Sequence, residues 1–447
     1  MRNRFRVSMF FDGTQNNRNN VRDRQMAEAQ LAEYQSRLNQ VEQNLSREDL
    51  TRDEKNMLEQ ERRWLRRCIR QAERAANADG SFASAETNVS KLQTYMLDNA
   101  PGFDEHIVAY IEGIGTRDGQ SDNLVGMATG RGGTGIIAKV ARGISRVISA
   151  IRGADCPDRE IELIQLDAVG FSRGAAAARN FVHAALNTGS DSVQEQLRAA
   201  GYTVDQVEVR FVGLFDTVAA FGVSRHHLDT GILSLDAISA AQKVVQLAAA
   251  DEYRNNFPLT NIASAGGTEI VLPGVHTDVG GGYRDAIHEE DLLVFKLSFY
   301  QQRERHRRRV EEEKRWLINE GWATASQIDD SGWRNRISVT RRRLRNTYDR
   351  IPLKIMAHWF QQEQVNFSAD LDLRNEISAG SHPELAQLEH VLGPDGQGNW
   401  RLDPDLMRRI RNRYFHISAN YDSFVNVPRW STGDPLTGVR ERLILRG

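Results

Sequence analysis

The segment Ile161–Phe181, which reads IELIQLDAVGFSRGAAAARNF, decides the fold. The residues before Gly170 are rich in Ile, Leu and Val, which predicts a buried strand, and the alanines after Gly174 predict a closely packed helix. The turn between them, GFSRG, has the pattern Gly-x-Ser-x-Gly. In this pattern a serine on a strained strand-to-helix turn is a candidate nucleophile. A chain with 35 glycines can match this pattern by chance. The question is therefore whether Ser172 is a nucleophile or only a small residue that fits a strand-to-helix turn.

The composition indicates a large globular chain of nearly balanced charge. Its 447 residues include 58 Lys and Arg against 60 Asp and Glu, and 40% are apolar, which suits one α/β domain with insertions or two domains. This balance predicts no nucleic-acid partner. The only cysteines, Cys68 and Cys156, suggest neither a disulfide framework nor a cysteine metal site. Asp12 and Asn16 interrupt the N-terminal apolar run, so we expect synthesis in the cytoplasm without a signal peptide.

Strand-like runs alternate with helical sequence along the first part of the chain. Runs at 6–11, 106–111, 207–215 and 268–272 accompany the one at 161–169, and this alternation predicts a mostly parallel central sheet with helices on both faces. A Gln-, Glu- and Arg-rich stretch at about 22–76 predicts an inserted helical hairpin. We therefore expect an α/β catalytic core over 1–285 and a mostly helical C-terminal region over 286–447. That region, packed on the core, would serve as a lid or as a contact for a carrier or a membrane.

Ser, Asp and His follow three of the predicted strands in chain order. Ser172 follows the run at 161–169, Asp216 the run at 207–215, and His276 the run at 268–272. Because the carboxyl ends of parallel strands meet at one edge of a sheet, we expect these side chains to converge there. The order is that of an α/β-hydrolase triad, with Ser172 as nucleophile, His276 as base and Asp216 as the acid that orients the base.

Backbone N–H groups near Ser172 are candidates for an oxyanion hole. The helix after the serine begins at Arg173, whose N–H would face the developing negative charge. The second donor usually comes from the loop after an earlier strand, which points to Gly13 or Thr14. Asp12, directly before them, is a candidate supporting residue.

Other residues compete for these roles. Asp278 lies two residues after His276 and could be the acid, and His416 could be the base. A metal-dependent phosphoesterase that uses Asp12 and Asp278, with a metal such as calcium, stays open, although no metal-ligand spacing is recognised; otherwise we expect no cofactor. The glycine-rich loop Gly126–Gly135 lacks the Walker lysine, so loop flexibility is favoured over nucleotide binding.

Together these motifs resemble the α/β-hydrolase domain of the DUF2235 family, which includes phospholipase (lipase) effectors of bacterial type VI secretion. The matching segments occur in order over roughly the first two thirds of the chain: Phe11–Thr14, Thr87–Ser90, Gly113–Thr116, Gly170–Ala175, Phe215–Val218 and Gly274–Tyr283. The resemblance implies a serine hydrolase of the phospholipase A type that attacks membrane glycerophospholipids of rival bacteria. Carried over by position, the family triad falls on Ser172, Asp216 and His276.

The resemblance also implies partners and a destination. A secretion spike protein would carry the chain, a cognate immunity protein would inhibit it, and the type VI system would deliver it from the bacterial cytoplasm into the periplasm of the target cell. The insertion at about 22–76 and the C-terminal third match no family motif. The alternative is therefore a catalytically inactive hydrolase fold that acts as a binding module through its helical hairpin.

Overall fold

The computed structural model places a parallel sheet at the centre of the molecule. It describes residues 2–14, 16–47, 51–76, 84–116, 135–219, 233–297, 303–330 and 335–447. The strands of the sheet are β1 (Asn3–Phe11), β2 (Glu105–Ile111), β3 (Glu160–Phe171), β4 (Thr203–Phe215), β5 (Lys243–Ala249) and β7 (Thr268–Leu272). These six strands lie in the order β2–β1–β3–β4–β5–β7, and each pair is parallel. The predicted parallel sheet is confirmed.

The register of the sheet aligns the ends of its central strands. The paired residues are Phe11 with Gly170, Phe171 with Phe215, Phe215 with Leu247, and Ala249 with Leu272. The turns that begin at Asp12, Ser172 and Asp216 therefore lie side by side at one edge. The strand β5, which separates β4 from β7, was not predicted from the sequence, because its short, alanine-containing apolar run (KVVQLAA) is equally compatible with a buried helix segment.

The helices that cover one face of the sheet all precede β5 in the chain. In the described part of the chain, the helices before β5 are α1 (Arg18–Leu45), α2 (Arg52–Ala76), α3 (Asn88–Tyr95), α4 (Ile136–Gly153), α5 (Arg173–Leu186) and α6 (Val193–Ala199), with a 3-10 helix at Leu235–Ala240. Of these, α4, α5 and α6 pack on this face. Ile144 and Val147, which their spacing places on one side of α4, are buried in the core on this face. Phe11 on β1 meets Phe181 on α5 with ring centroids 5.4 Å apart.

The opposite face is covered by α3 and by helices of the C-terminal region. The later helices are α7 (His276–Gly280), α8 (Arg303–Asn319), α9 (Arg350–Gln362), α10 (Asp370–Arg374), α11 (Pro383–Leu392) and α12 (Pro404–Tyr414), with 3-10 turns at Ala325–Gln327, Thr347–Asp349 and Trp400–Leu402. Phe211 on β4 contacts Phe360 on α9 with ring centroids 4.1 Å apart. Residues from both sides of position 285 share this buried apolar cluster.

The C-terminal region also contains an antiparallel sheet that the sequence pattern did not predict. Its three strands lie in the order β8 (Ile287–Lys296), β10 (Arg336–Leu344) and β9 (Ile328–Asp329). The expectation of a mostly helical region over 286–447 did not include these strands, of which β8 begins the region and β10 carries the basic run near Arg341. Cross-strand pairing explains this: Arg341 lies opposite Glu289, and their largely buried side chains form an ion pair at 2.6 Å. By contrast, the charged run at Arg303–Asn319 forms the helix α8.

The predicted helical hairpin is present as α1 and α2. Asn17 caps the start of α1, because its side chain accepts hydrogen bonds from the N–H groups of Asn19 and Asn20. Ion pairs between Arg37 and Glu61 and between Arg66 and Glu42 join the two helices. In addition, the short strand β6 (Leu259–Thr260) pairs with β11 (Ile444–Leu445) in parallel. Within the described ranges, no helix is long and apolar enough to cross a membrane.

Candidate active site

Ser172 occupies a strained turn between β3 and α5. Its φ of 60° and ψ of −126° lie outside the regions that a serine normally adopts. The turn is held by its backbone, since the Ser172 N–H donates to the Phe215 carbonyl at 3.0 Å and the Ser172 carbonyl accepts from Val218 at 3.2 Å. A Cβ at Gly174 would lie 2.2 Å from the Asp12 carbonyl oxygen, so only glycine fits there. The strand, turn and helix expected around GFSRG are therefore all present.

Asp216 and His276 form a buried hydrogen-bonded pair beside this turn. Asp216 Oδ2 lies 2.5 Å from His276 Nδ1, and both side chains are almost inaccessible to solvent. Asp216 Oδ1 also accepts the Ala249 N–H at 2.8 Å. An Nδ1–H that donates to a carboxylate leaves Nε2 of the ring as a proton acceptor. The sequence placed this acid and base at the ends of different strands, and the structure brings them together.

Two aromatic rings hold the His276 imidazole. Phe171, the residue before Ser172, lies with its ring centroid 4.6 Å from that of His276, and Phe257 contacts the ring edge-on at 5.0 Å. The histidine thus packs directly against the serine turn. Burial lowers the pKa of His276 and outweighs the opposing hydrogen bond and charge of Asp216. Near neutral pH the ring is therefore uncharged, which is the form that can accept a proton.

Arg442 is a charged partner of Asp216 that the sequence analysis did not identify. Its guanidinium donates to Asp216 Oδ1 at 2.6 Å and to Oδ2 at 2.8 Å. Burial by itself would raise the pKa of Asp216, but the charge of Arg442 and the hydrogen bond with His276 hold this pKa well below its ordinary value. Asp216 is thus a carboxylate over the whole working pH range. No local motif marks Arg442, which lies 226 positions from Asp216 in the chain.

A second buried ion pair lies behind His276. Glu252 accepts the His276 backbone N–H at 3.3 Å and forms a two-point ion pair with Arg254. Burial tends to raise the pKa of Glu252, but Arg254 outweighs it and the net shift is downward. Arg254 in turn lies over the Phe257 ring, 3.3 Å from its centroid. This pair was not identified from the sequence either, because it lies in a connection that carries no motif.

The two rival residues, Asp278 and His416, pair with each other. Asp278 Oδ1 lies 2.7 Å from His416 Nδ1, and Asp278 Oδ2 accepts the N–H groups of Val275 and His416. The His416 ring stacks on Tyr283 with centroids 3.7 Å apart. Burial raises the pKa of Asp278 despite the neighbouring His416. These two residues anchor the turn that carries His276, and their described hydrogen bonds do not include Asp216 or the His276 side chain.

Asp12 organises the loop that was expected to supply the second oxyanion donor. It accepts hydrogen bonds from the Gly13 N–H at 2.8 Å, Thr87 Oγ1 at 2.7 Å and the Tyr110 hydroxyl at 2.5 Å. Burial outweighs these bonds and raises the pKa of Asp12 to about 6. Since the Gly13 N–H already donates to Asp12, Thr14 is the better candidate of the two for the oxyanion hole.

The remaining expectations concern Arg173, the glycine-rich loop and a metal. Arg173 is the first residue of α5, directly after the serine, and burial lowers the pKa of its guanidinium to about 10. The loop Gly126–Gly135 lies outside the described residues except for Gly135, which caps α4. In the part of the chain that the structure describes, no group of three or more His, Cys, Asp and Glu side chains is arranged to hold a metal ion.

The parallel sheet, the strained serine turn and the adjoining Asp–His pair define an α/β-hydrolase-like fold. Residues 183–303 match the family described as "T6SS, Phospholipase effector Tle1-like, catalytic domain". The matched segment carries the Tle1-like phospholipase effector signature and includes Asp216 and His276, whereas Ser172 precedes it. The resemblance to type VI phospholipase effectors inferred from the sequence is thereby confirmed.

Five solved chains match this one, among them the two that follow. One is "Structure of the Tle1 effector bound to the VgrG spike from the Type 6 secretion system", with a TM-score of 0.62, 22% identity, and coverage of 100% of this chain and 94% of that one. This likeness supports the fold. The other, an uncharacterized protein from Pseudomonas aeruginosa, has a TM-score of 0.41 and 15% identity, with 91% and 52% of the two chains covered. Comparison with curated protein sequences gives no match.

Proposed function

We propose that the chain is a serine esterase that hydrolyses acyl esters of membrane glycerophospholipids, as a phospholipase A does. The observation that carries the proposal is the position of the buried Asp216–His276 pair next to the strained turn at Ser172. A strained serine at a helix start, beside a neutral histidine that a carboxylate orients, is the arrangement that nucleophilic acyl transfer requires.

In the proposed reaction Ser172 attacks the ester carbonyl while its proton passes to His276 Nε2. The oxyanion that forms accepts hydrogen bonds from the backbone N–H groups of Arg173 and Thr14. The imidazolium then gives its proton to the leaving lysophospholipid oxygen as the carbon–oxygen bond breaks. Water attacks the acyl-enzyme with His276 again as the base, which releases the fatty acid and restores Ser172. Asp216 stays ionised and holds the Nδ1–H of His276 throughout.

The substrate class and the biological setting rest on the comparisons. The family name at residues 183–303 specifies a phospholipase effector of type VI secretion, so we propose that the acyl ester belongs to a bacterial membrane phospholipid. The Tle1 effector was solved bound to a VgrG spike, and we propose a spike protein as carrier for this chain too. We further propose that a cognate immunity protein inhibits the chain and that the chain is delivered into the periplasm of a target cell.

A metal-dependent phosphoesterase is a weaker alternative because its candidate ligands have other partners. Asp12 accepts three hydrogen bonds from protein donors, and Asp278 accepts three more, two of them from His416. A metal would have to displace these donors from both carboxylates.

The test is hydrolysis of vesicles made of phosphatidylethanolamine and phosphatidylglycerol, with products identified by mass spectrometry. We expect free fatty acid and lysophospholipid from the unmodified chain and none above background from Ser172→Ala. Ser145→Ala is the matched control, since the Ser145 hydroxyl is exposed and bonds only to its own helix at Ala141. Absence of fatty acid release, or release that is equal in Ser172→Ala, would overturn the proposal. Release of phosphorylated headgroups would favour the phosphoesterase.

A further inference from the structure

The segment 440–445 reaches the candidate active site through a single side chain. Besides its two contacts with Asp216, the Arg442 guanidinium donates to the Ala249 carbonyl at 3.1 Å and to the Phe257 carbonyl at 3.1 Å. Its side chain is 7% exposed. The four contacts therefore tie the acid to the end of β5 and to the connection whose Phe257 ring packs on His276.

The two-point contact fixes the orientation of the Asp216 carboxylate. Oδ1 accepts from Arg442 and the Ala249 N–H, while Oδ2 accepts from Arg442 and His276. A planar guanidinium that spans both oxygens prevents rotation of the carboxylate about its last bond. Oδ2 is thereby kept facing His276 Nδ1, the atom that it must hold during the reaction.

Backbone pairing on both sides of Arg442 holds the residue in place. The Leu259 N–H donates to the Leu443 carbonyl at 2.9 Å, and the Asn261 N–H donates to the Leu445 carbonyl at 3.0 Å. On the other side, the Glu441 N–H donates to the Arg429 carbonyl at 3.3 Å, and the Arg440 side chain pairs with Glu313 at 2.9 Å. The guanidinium of Arg442 is thus delivered by an anchored segment rather than by a loose tail.

The charges that face His276 add a consequence for its protonation. Asp216 and Glu252 contribute two negative charges, and Arg442 and Arg254 contribute two positive charges, one on each carboxylate. Removal of Arg442 would leave a net negative charge beside the imidazole, which favours its protonated form. A residue that only stabilised the fold would not have this effect.

We propose that Arg442 is a positioning residue for the triad: it fixes the orientation of Asp216 and balances its charge, so segment 440–445 completes the active site. This inference rests on the proposed serine esterase function. Arg442 acts through Asp216 and does not touch the reacting atoms.

The experiment measures the pH dependence of two reactions in the full chain, the covalent labelling of Ser172 by a fluorophosphonate and the hydrolysis of p-nitrophenyl butyrate. Arg442→Met removes both the positive charge and the two-point contact with Asp216. Arg442→Lys keeps the charge but cannot contact both carboxylate oxygens with a planar group. Arg446→Met, at the exposed position directly after this segment, is the matched control. Thermal unfolding of each variant gives the folded fraction at the assay temperature.

We expect the midpoint of the acid limb in Arg442→Met to move up by about one pH unit, because the pKa of His276 rises when the cation is lost. Its plateau rate should fall by about 100-fold, and that of Arg442→Lys by about tenfold with the midpoint retained. Arg446→Met should match the unmodified chain in both reactions.

The outcomes separate this inference from the proposed function. If both Arg442 variants keep the original midpoint and lose rate only in proportion to their unfolded fraction, the role is structural and the inference is overturned. Unchanged rates in folded Arg442 variants overturn it as well. If the unmodified chain neither labels nor hydrolyses the ester, the proposed function fails and the inference fails with it.

Discussion

Replacement of Asp216 by Asn tests the assignment of the catalytic acid. Each oxygen of this carboxylate accepts two hydrogen bonds, Oδ1 from Ala249 and Arg442 and Oδ2 from Arg442 and His276. An Asn side chain has one acceptor oxygen and one donor NH2 group. Because Oδ1 must receive a backbone N–H, the amide oxygen belongs there, and the NH2 group then faces His276 Nδ1.

That orientation forces His276 into the wrong tautomer. Nδ1 must accept a hydrogen bond, so the ring proton moves to Nε2 and no lone pair faces the serine. We expect kcat to fall by about 10⁴-fold with little change in KM, which corresponds to about 5 kcal/mol of transition-state stabilisation. Arg442 also loses its anionic partner in a buried position, so the free energy of unfolding should fall by about 3 kcal/mol.

The assay is fatty acid release from phospholipid vesicles, with Asp278→Asn as the matched control. Asp278 is equally buried and also bonds a histidine, His416, but this pair lies outside the proposed triad. We expect the control to keep at least about a tenth of the original kcat, the cost of one weakened hydrogen bond. Full activity in Asp216→Asn, or a loss confined to Asp278→Asn, would refute the assignment.

Packing and titration give three further expectations. Gly174→Ala places a Cβ 2.2 Å from the Asp12 carbonyl oxygen. Thermal unfolding should therefore show a loss of about 2 kcal/mol in the free energy of unfolding, and esterase activity should fall. Gly153→Ala, with no atom within 4 Å of the new Cβ, should be neutral or slightly stabilising. The acid limb of kcat/KM should lie below 6.5, because burial lowers the pKa of His276 from that value and the neutral ring is the base; a midpoint above 7 contradicts this. Burial raises the pKa of Asp12 from 3.8 to about 6, so the stability it contributes is full below pH 3.8 and is lost as the pH rises through 6. Urea unfolding should show this loss, about 3 kcal/mol, in the unmodified chain and not in Asp12→Asn.

Local sequence patterns predicted the strands, the serine turn and the three proposed triad residues of the site. The strand, serine turn and helix around Ser172 depend on neighbours in the sequence, and Asp216 and His276 were placed by a general property of parallel sheets. The ends of β1, β3 and β4 are in register, so the residues that follow these strands could be predicted to lie together from the strand pattern alone. The hairpin α1–α2 was predicted because its helical periodicity is long.

Residues that depend on distant pairing could not be predicted in this way. Arg442 reaches Asp216 because two-residue strands, β6 and β11, bring the end of the chain beside the sheet, and strands of this length leave no periodic pattern. The strand β8 was missed for a similar reason, since burial of Arg341 against Glu289 makes a charged run compatible with a sheet. His416 could not be assigned by sequence, since its partner Asp278 lies 138 positions away.

The most direct test of the central claim is the site of covalent modification by a fluorophosphonate. The folded chain is labelled, digested and mapped by mass spectrometry, alongside Ser172→Ala, His276→Gln and His416→Gln. We predict a single adduct on the peptide that contains Ser172, no adduct in Ser172→Ala, and labelling that is strongly slowed in His276→Gln but not in His416→Gln. An adduct on another residue, or labelling of Ser172 that is independent of His276, would contradict the claim.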